Sequence, residues 1–155
     1  MPFETGKMIS NTQQVVTADT FARRINYELK RAERYRIFVS LVVFNITPVL
    51  EFLNRADITR SAAEFIDSLS NIIKKSVREI DTVSNSSQDK IGLLFPETPR
   101  QGAEAAARRI SETLHSFYAE YFGKPADCPI PVEISSYPDA AGARSLASYL
   151  DEFDQ

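Results

Sequence analysis

The chain has 155 residues, 43% hydrophobic and 25% charged, a composition that suits one globular domain with a single sizeable core and excludes wholesale disorder. A net charge of −3 excludes general affinity for nucleic acid, and the longest apolar run, around residues 37 to 46, is too short to span a bilayer. A single cysteine, Cys128, and a single histidine, His115, leave no internal disulfide, thiolate cluster or His-rich metal site.

In chain order, residues 1 to 17 are polar and without periodicity and read as a flexible leader to a domain over 18 to 155. Thr17-Ala18-Asp19-Thr20 supplies capping oxygens ahead of Phe21, Ile25, Leu29 and Ala32, which recur at helical spacing. Arg23, Arg24, Lys30, Arg31 and Arg34 make the outer face of that helix basic. IFVSLVVFNI, residues 37 to 46, is β-branched and apolar, as a central strand covered on both sides requires, and Pro48 ends it. A helical segment over about 49 to 79, with a break near Asn54 to Asp57, carries the stripe Phe65, Ile66, Leu69, Ile72, Ile73 and Val77. Asp81 to Ser84 reads as a weak strand and KIGLLF, residues 90 to 95, as a stronger one closed by Pro96. A helix follows from about Pro99 to Phe122, with proline at its start and Gly123 past its end. Pro131 to Tyr137 reads as a strand and residues 142 to 152 as a short last helix. This alternation predicts a layered α/β (α+β) domain with helices packed on one sheet.

The run FARRINYELKRAERYRIFVSLVVFNI resembles the opening of GGDEF domains, the bacterial diguanylate cyclases, in which a helix ending E-x-x-R-A-x-R-Y feeds the first strand. VREIDTVSNSSQDKIGLLFPET resembles their centre: an arginine-x-x-aspartate pair, a strand, the signature turn and an apolar strand ending Pro-x-Thr. GAEAAARRISETL resembles the family's alanine-rich helix, and ISSYPDA its later strand and turn. The likeness covers roughly residues 19 to 147, while the family's last segment is absent or cut short. It implies a nucleotidyl-cyclase-like mixed central sheet flanked by helices.

The resemblance implies chemistry that this sequence lacks. The family joins two GTP molecules using metal ions, and Mg²⁺ wants hard, anionic oxygen ligands. Where the family has Asp-x-Asp at the end of the first strand, this chain has Asn45 and Thr47. The signature five fall on Ser87, Gln88, Asp89, Lys90 and Ile91, so both glycines are gone and a lysine stands at the fourth, acidic position. The expectation is no cyclase activity, no catalytic residue, no metal and no cofactor.

One family site persists. An Arg-x-x-Asp motif six residues before the signature is the family's inhibitory site, which binds cyclic di-GMP, and Arg78 and Asp81 stand in that register. Arg109 falls where the family's alanine-rich helix supplies a second arginine. A guanidinium fork can pair with guanine O6 and N7 or with phosphate, and a carboxylate can accept from guanine N1 and N2. The bland alternative is a local Arg78–Asp81 ion pair, with Lys74, Lys75 and Arg78 a solvated face. His115 reads as a surface or half-buried residue, Cys128 as incidental, and Tyr118, Tyr121 and Phe122 as core or dimer surface.

Two functions follow as expectations. The first is an inactive signalling domain that receives cyclic di-GMP through Arg78, Asp81 and Arg109 and reports to a protein partner or linked domain. The second is an interaction or dimerisation module that binds no nucleotide. A cytoplasmic location, no nucleic-acid partner, no membrane span and a homodimer complete the expectations.

Overall fold

Val39–Asn45, strand β2, is where the architecture starts, because its two faces meet two different sets of side chains. Successive strand residues point to opposite faces. Val42 and Phe44 join one hydrophobic cluster, while Leu41 and Val43 join another. A computed structural model describes residues 15–55, 62–84, 89–122, 130–138 and 144–153. The element order is β1 (Val15–Val16), α1 (Ala18–Tyr35), β2, α2 (Thr47–Arg55), α3 (Ala62–Lys75), β3 (Thr82–Ser84), β4 (Lys90–Pro96), α4 (Arg100–Phe122) and β5 (Val132–Tyr137). A 3-10 turn, Leu146–Tyr149, and α5 (Leu150–Phe153) follow.

The five strands form one mixed sheet in the order β1-β3-β4-β2-β5, with β1 parallel to β3 and the other pairs antiparallel. The β2–β4 register sets Asn45 opposite Lys90 and Val39 opposite Pro96. On one face lie α2, α3 and α4, whose Phe65, Leu69, Ile73, Ile110 and Leu114 pack on Val42, Phe44, Ile91 and Leu93. On the other lie α1 and the C-terminal turns, whose Phe21, Ile25, Tyr149 and Phe153 pack on Leu41, Val43 and Leu94. Each fully buried side chain of this kind contributes about 1.5–3 kcal/mol relative to exposure. Gly92 faces this second layer, and a Cβ there would come within 2.6 Å of the Phe21 ring and 2.8 Å of Phe153. The missing side chain is what lets those rings stack edge to face at 4.8 Å against the sheet.

Helix α1 starts where its capping residues placed it. The Thr17 hydroxyl accepts from the Thr20 amide, and Arg36 ends the helix in the left-handed region. Val15–Val16, read from sequence as the end of the leader, pair with β3. The helical segment foreseen over 49 to 79 is two helices, and α3 stops at Lys75. Arg78 therefore lies in the turn that follows the helix, in which Asp81 donates its backbone N–H to the Arg78 carbonyl. The final helix foreseen over 142 to 152 is a 3-10 turn and one short α-turn.

Candidate functional site

The turn between α3 and β3 owes its shape to Asp81. Its carboxylate accepts from the Arg78 backbone N–H at 2.8 Å, closing the turn on itself, and from Arg78 Nε at 3.3 Å and Nη2 at 3.0 Å. The Asp81 side chain is 2% exposed and that of Arg78 55%, so a buried acid holds a half-exposed guanidinium by its inner edge. Arg78 Nη2 also reaches Thr98 Oγ1 at 2.7 Å and the Pro96 carbonyl at 3.2 Å. From α4, Arg109 Nη2 donates to the Ser76 carbonyl at 3.0 Å, so the helix that supplies the second arginine is pinned to the same turn.

These residues enclose a cavity of about 380 Å³ whose walls include Lys75, Arg78, Asp81, Thr98, Gly102 and Arg109. The volume lies in the range of small-molecule sites, about 300–1,000 Å³. The structure thus brings Arg78, Asp81 and Arg109 to one place, together with three residues that sequence reasoning passed over. Lys75 was read as a solvated face, Thr98 only as part of the Pro-x-Thr ending, and Gly102 as part of an alanine-rich helix. Three cations against one carboxylate make the cavity suited to an anion. The carboxylate is committed to Arg78, so the charged donors left to the cavity are the guanidinium groups and the Lys75 ammonium.

The opposite end of β4 is arranged differently. Asn45 Oδ1 accepts from the Thr47 amide at 2.9 Å and so starts α2. Thr47 Oγ1 donates to Asp89 Oδ2 at 3.3 Å, and the Asp89 carbonyl accepts from the Ile46 amide. Lys90, opposite Asn45, donates to Glu152 Oε1 at 2.6 Å, and Arg144 bonds the other Glu152 oxygen. Burial pulls the Glu152 carboxyl upward, but the hydrogen bonds from Lys90 and Arg144 outweigh it and leave its pKa below the ordinary value. Burial, seconded by a hydrogen bond to Glu133, pushes the Tyr149 hydroxyl up to about 12. Neutral oxygens from Asn45 and Thr47 and one carboxylate engaged by Thr47, with a lysine paired opposite Asn45, do not fit a divalent cation, which prefers several anionic oxygens. Ser87 and Gln88 lie outside the described residues.

His115 is exposed and lines a separate cavity of about 510 Å³ between α4 and β5 with Arg108, Glu112, Val132 and Ile134. Tyr118 is buried in the core beside Phe65. Cys128 and the side chains of Tyr121 and Phe122 lie outside the described residues. No described helix is long and apolar enough to cross a membrane.

Solved structures share this fold. The chain superposes on a DGC protein from Thermotoga maritima with a TM-score of 0.62 and 17% identity, over 93% of this chain and 96% of that one. The GGDEF domain of DgcB from Caulobacter crescentus, solved in complex with c-di-GMP, gives 0.65 and 13%, over 86% and 78%. The diguanylate cyclase SiaD from Pseudomonas aeruginosa, solved with its activator SiaC, gives 0.66 and 14%, over 87% of this chain and 50% of SiaD. No family model matches the sequence, and no curated protein matches it. The mixed sheet with helices on both faces is the fold of GGDEF domains.

Proposed function

With the GGDEF fold as premise, we propose that this domain is a receptor for cyclic di-GMP that makes none itself, and that it passes occupancy to a protein partner or a linked domain in the cytoplasm. The observation that carries the proposal is the convergence of Arg78, Asp81 and Arg109, with Lys75, on one cavity. The neighbour solved with c-di-GMP supports that choice of ligand. In this arrangement Asp81 orients Arg78, the two guanidinium groups offer forked donors to guanine O6 and N7 or to phosphate, and Lys75 adds a point charge for phosphate. None of these contacts needs a metal, so binding can persist where catalysis has gone. The absence of cyclase activity is supported by the donor set at Asn45, Thr47, Asp89 and Lys90, which does not suit a divalent cation.

A second reading, an interaction module without nucleotide, draws on two observations. The Arg78–Asp81 pair is an internal ion pair that closes its own turn. Ile80, inside the same turn, is 54% exposed, which suits a protein contact.

Titration calorimetry with cyclic di-GMP separates the two. The receptor shows saturable heat in the wild type, weakened at least about tenfold by Arg78→Ala or Arg109→Ala, as loss of a charged hydrogen-bonding partner implies. No heat at high micromolar ligand leaves only the interaction module. Incubation with GTP and Mg²⁺ is expected to yield no dinucleotide, and any such product overturns the non-catalytic half of the proposal.

A further inference from the structure

The turn from Pro96 to Thr98 is built with unusual care for a strand end. Glu97 takes a φ of 54°, a region costly for a residue with a side chain, and Arg31 of α1 holds its carboxylate at 3.0 Å. The Thr98 carbonyl accepts from Ser40 Oγ at 2.7 Å, and Ser40 Oγ lies 2.8 Å from Ser136 Oγ. Ser40 has one hydroxyl hydrogen, which goes to Thr98, so Ser136 is the donor in the second contact. Both serines are buried, Ser40 in the central strand β2 and Ser136 in the edge strand β5, where a hydroxyl is tolerated only when bonded. Their chain of bonds leads to Thr98 and fixes its backbone.

The Thr98 side chain is fixed as well. Its one hydroxyl hydrogen goes to the Pro96 carbonyl at 2.9 Å, so only lone pairs face Arg78 Nη2. Its methyl leans on α4 where Gly102 has no side chain, and a Cβ at Gly102 would stand 3.0 Å from Thr98 Cγ2. Asp81 holds the guanidinium from the turn it belongs to, while Thr98 holds it from a different element. Asp81 grips the fork through both oxygens, and Thr98 Oγ1 at 2.7 Å, with the Pro96 carbonyl at 3.2 Å, adds a hold on Nη2 from a different element, so the orientation does not rest on the carboxylate alone.

We propose that Thr98 is a positioning residue of the cavity: its hydroxyl, aimed by Pro96 and anchored through Ser40 and Ser136, holds the Arg78 guanidinium in the orientation that receives the ligand. The inference rests on the receptor reading of the same cavity. Preorganisation of this kind raises affinity by lowering the ordering cost of binding.

The test compares the wild-type chain with Thr98→Val, Thr98→Ser, Arg78→Ala and Arg78→Ala/Thr98→Val, with Thr98→Ala replacing the valine if that variant does not fold. In ligand-free protein the Arg78 Nε–H resonance, identified by its loss in Arg78→Ala, exchanges with water several-fold faster in Thr98→Val and as in wild type in Thr98→Ser. In calorimetry with cyclic di-GMP, Thr98→Val binds about tenfold more weakly, Thr98→Ser binds as wild type, and the valine has no further effect in the Arg78→Ala background. Wild-type affinity in Thr98→Val, or a tenfold loss repeated without Arg78, overturns the positioning role while leaving the receptor standing. If the wild type takes up no cyclic di-GMP, the receptor reading fails, and unchanged Nε–H exchange in Thr98→Val then overturns the positioning role independently.

Discussion

Strand β4 ends in two places of opposite character. At the Lys90 end, each carboxylate is engaged by a nearby donor: Glu152 by Lys90 and Arg144, Glu133 by Tyr149, and Asp89 by Thr47. At the Pro96 end, Lys75, Arg78 and Arg109 surround a single buried carboxylate. One end is near electrical balance and closed by the C-terminal turns, while the other carries surplus positive charge around an open cavity. The same strand thus separates a cluster of mutually engaged side chains from a cavity whose lining suits an anion. The proposed receptor needs only the Pro96 end, because the two ends share a strand but no side chains.

Substitutions at the two ends sharpen this contrast. The largest effect is expected for Asp81→Ala, which removes the acceptor of three hydrogen bonds and leaves the Arg78 amide and fork without it. Urea unfolding should show a loss of about 3 kcal/mol. An equal loss at Lys90 would erase the distinction between a pair built on a fully buried carboxylate and one in which both partners are partly exposed. Gly92→Ala lies between the ends and should cost about 2 kcal/mol by forcing the Phe21 and Phe153 rings off the sheet. It should increase proteolysis around Phe153 first and leave ligand binding at the far end of β4 nearly unchanged.

The smallest effect is expected for Lys90→Met. Lys90 and Glu152 side chains are 30% and 22% exposed, and a pair of that kind contributes under about 1 kcal/mol. Its pH dependence has a definite sign. Because the folded state depresses the Glu152 pKa, the stabilisation is present above the ordinary carboxylate range and lost as pH falls through the folded value. The gap in urea midpoint between wild type and Lys90→Met should therefore be constant near neutrality and close on acidification. A gap that widens in acid would show that Lys90 acts through something other than Glu152.

Periodicity made much of this fold legible. The β-branched run at 37 to 46 yielded Val39–Asn45, with Phe38 left exposed ahead of it, and KIGLLF yielded Lys90–Pro96; both strands are covered on their two faces, because a sequence with almost no polar alternation has no face to give to water. The Thr17 cap was legible for the same local reason, as was the start of α4 after Pro99. The end of α3 was not: Lys74 to Val77 continues a helical pattern, and Asp81, six residues beyond Lys75, closes the chain into a turn instead. Thr98 and Lys75 gave no local signal, since a threonine after a strand and a lysine at a helix end are ordinary in either role. Ser40 did break an apolar strand, and that buried hydroxyl was the one trace in the sequence of the anchor beneath Thr98.

By itself, then, the order of residues determined the layered α/β architecture, the poverty of acidic oxygens at Asn45, Thr47 and Lys90, and the presence of Arg78, Asp81 and Arg109 at matching intervals. Those properties are local, set by residue type and spacing along the chain. Only the folded sheet decided that Glu152 neutralises Lys90 across 62 positions, that Arg109 pins the turn bearing Arg78, and that Thr98 faces the guanidinium. Hydrogen bonds and ion pairs act over a few ångströms of space, and which distant residues come that close is settled by strand order and helix packing.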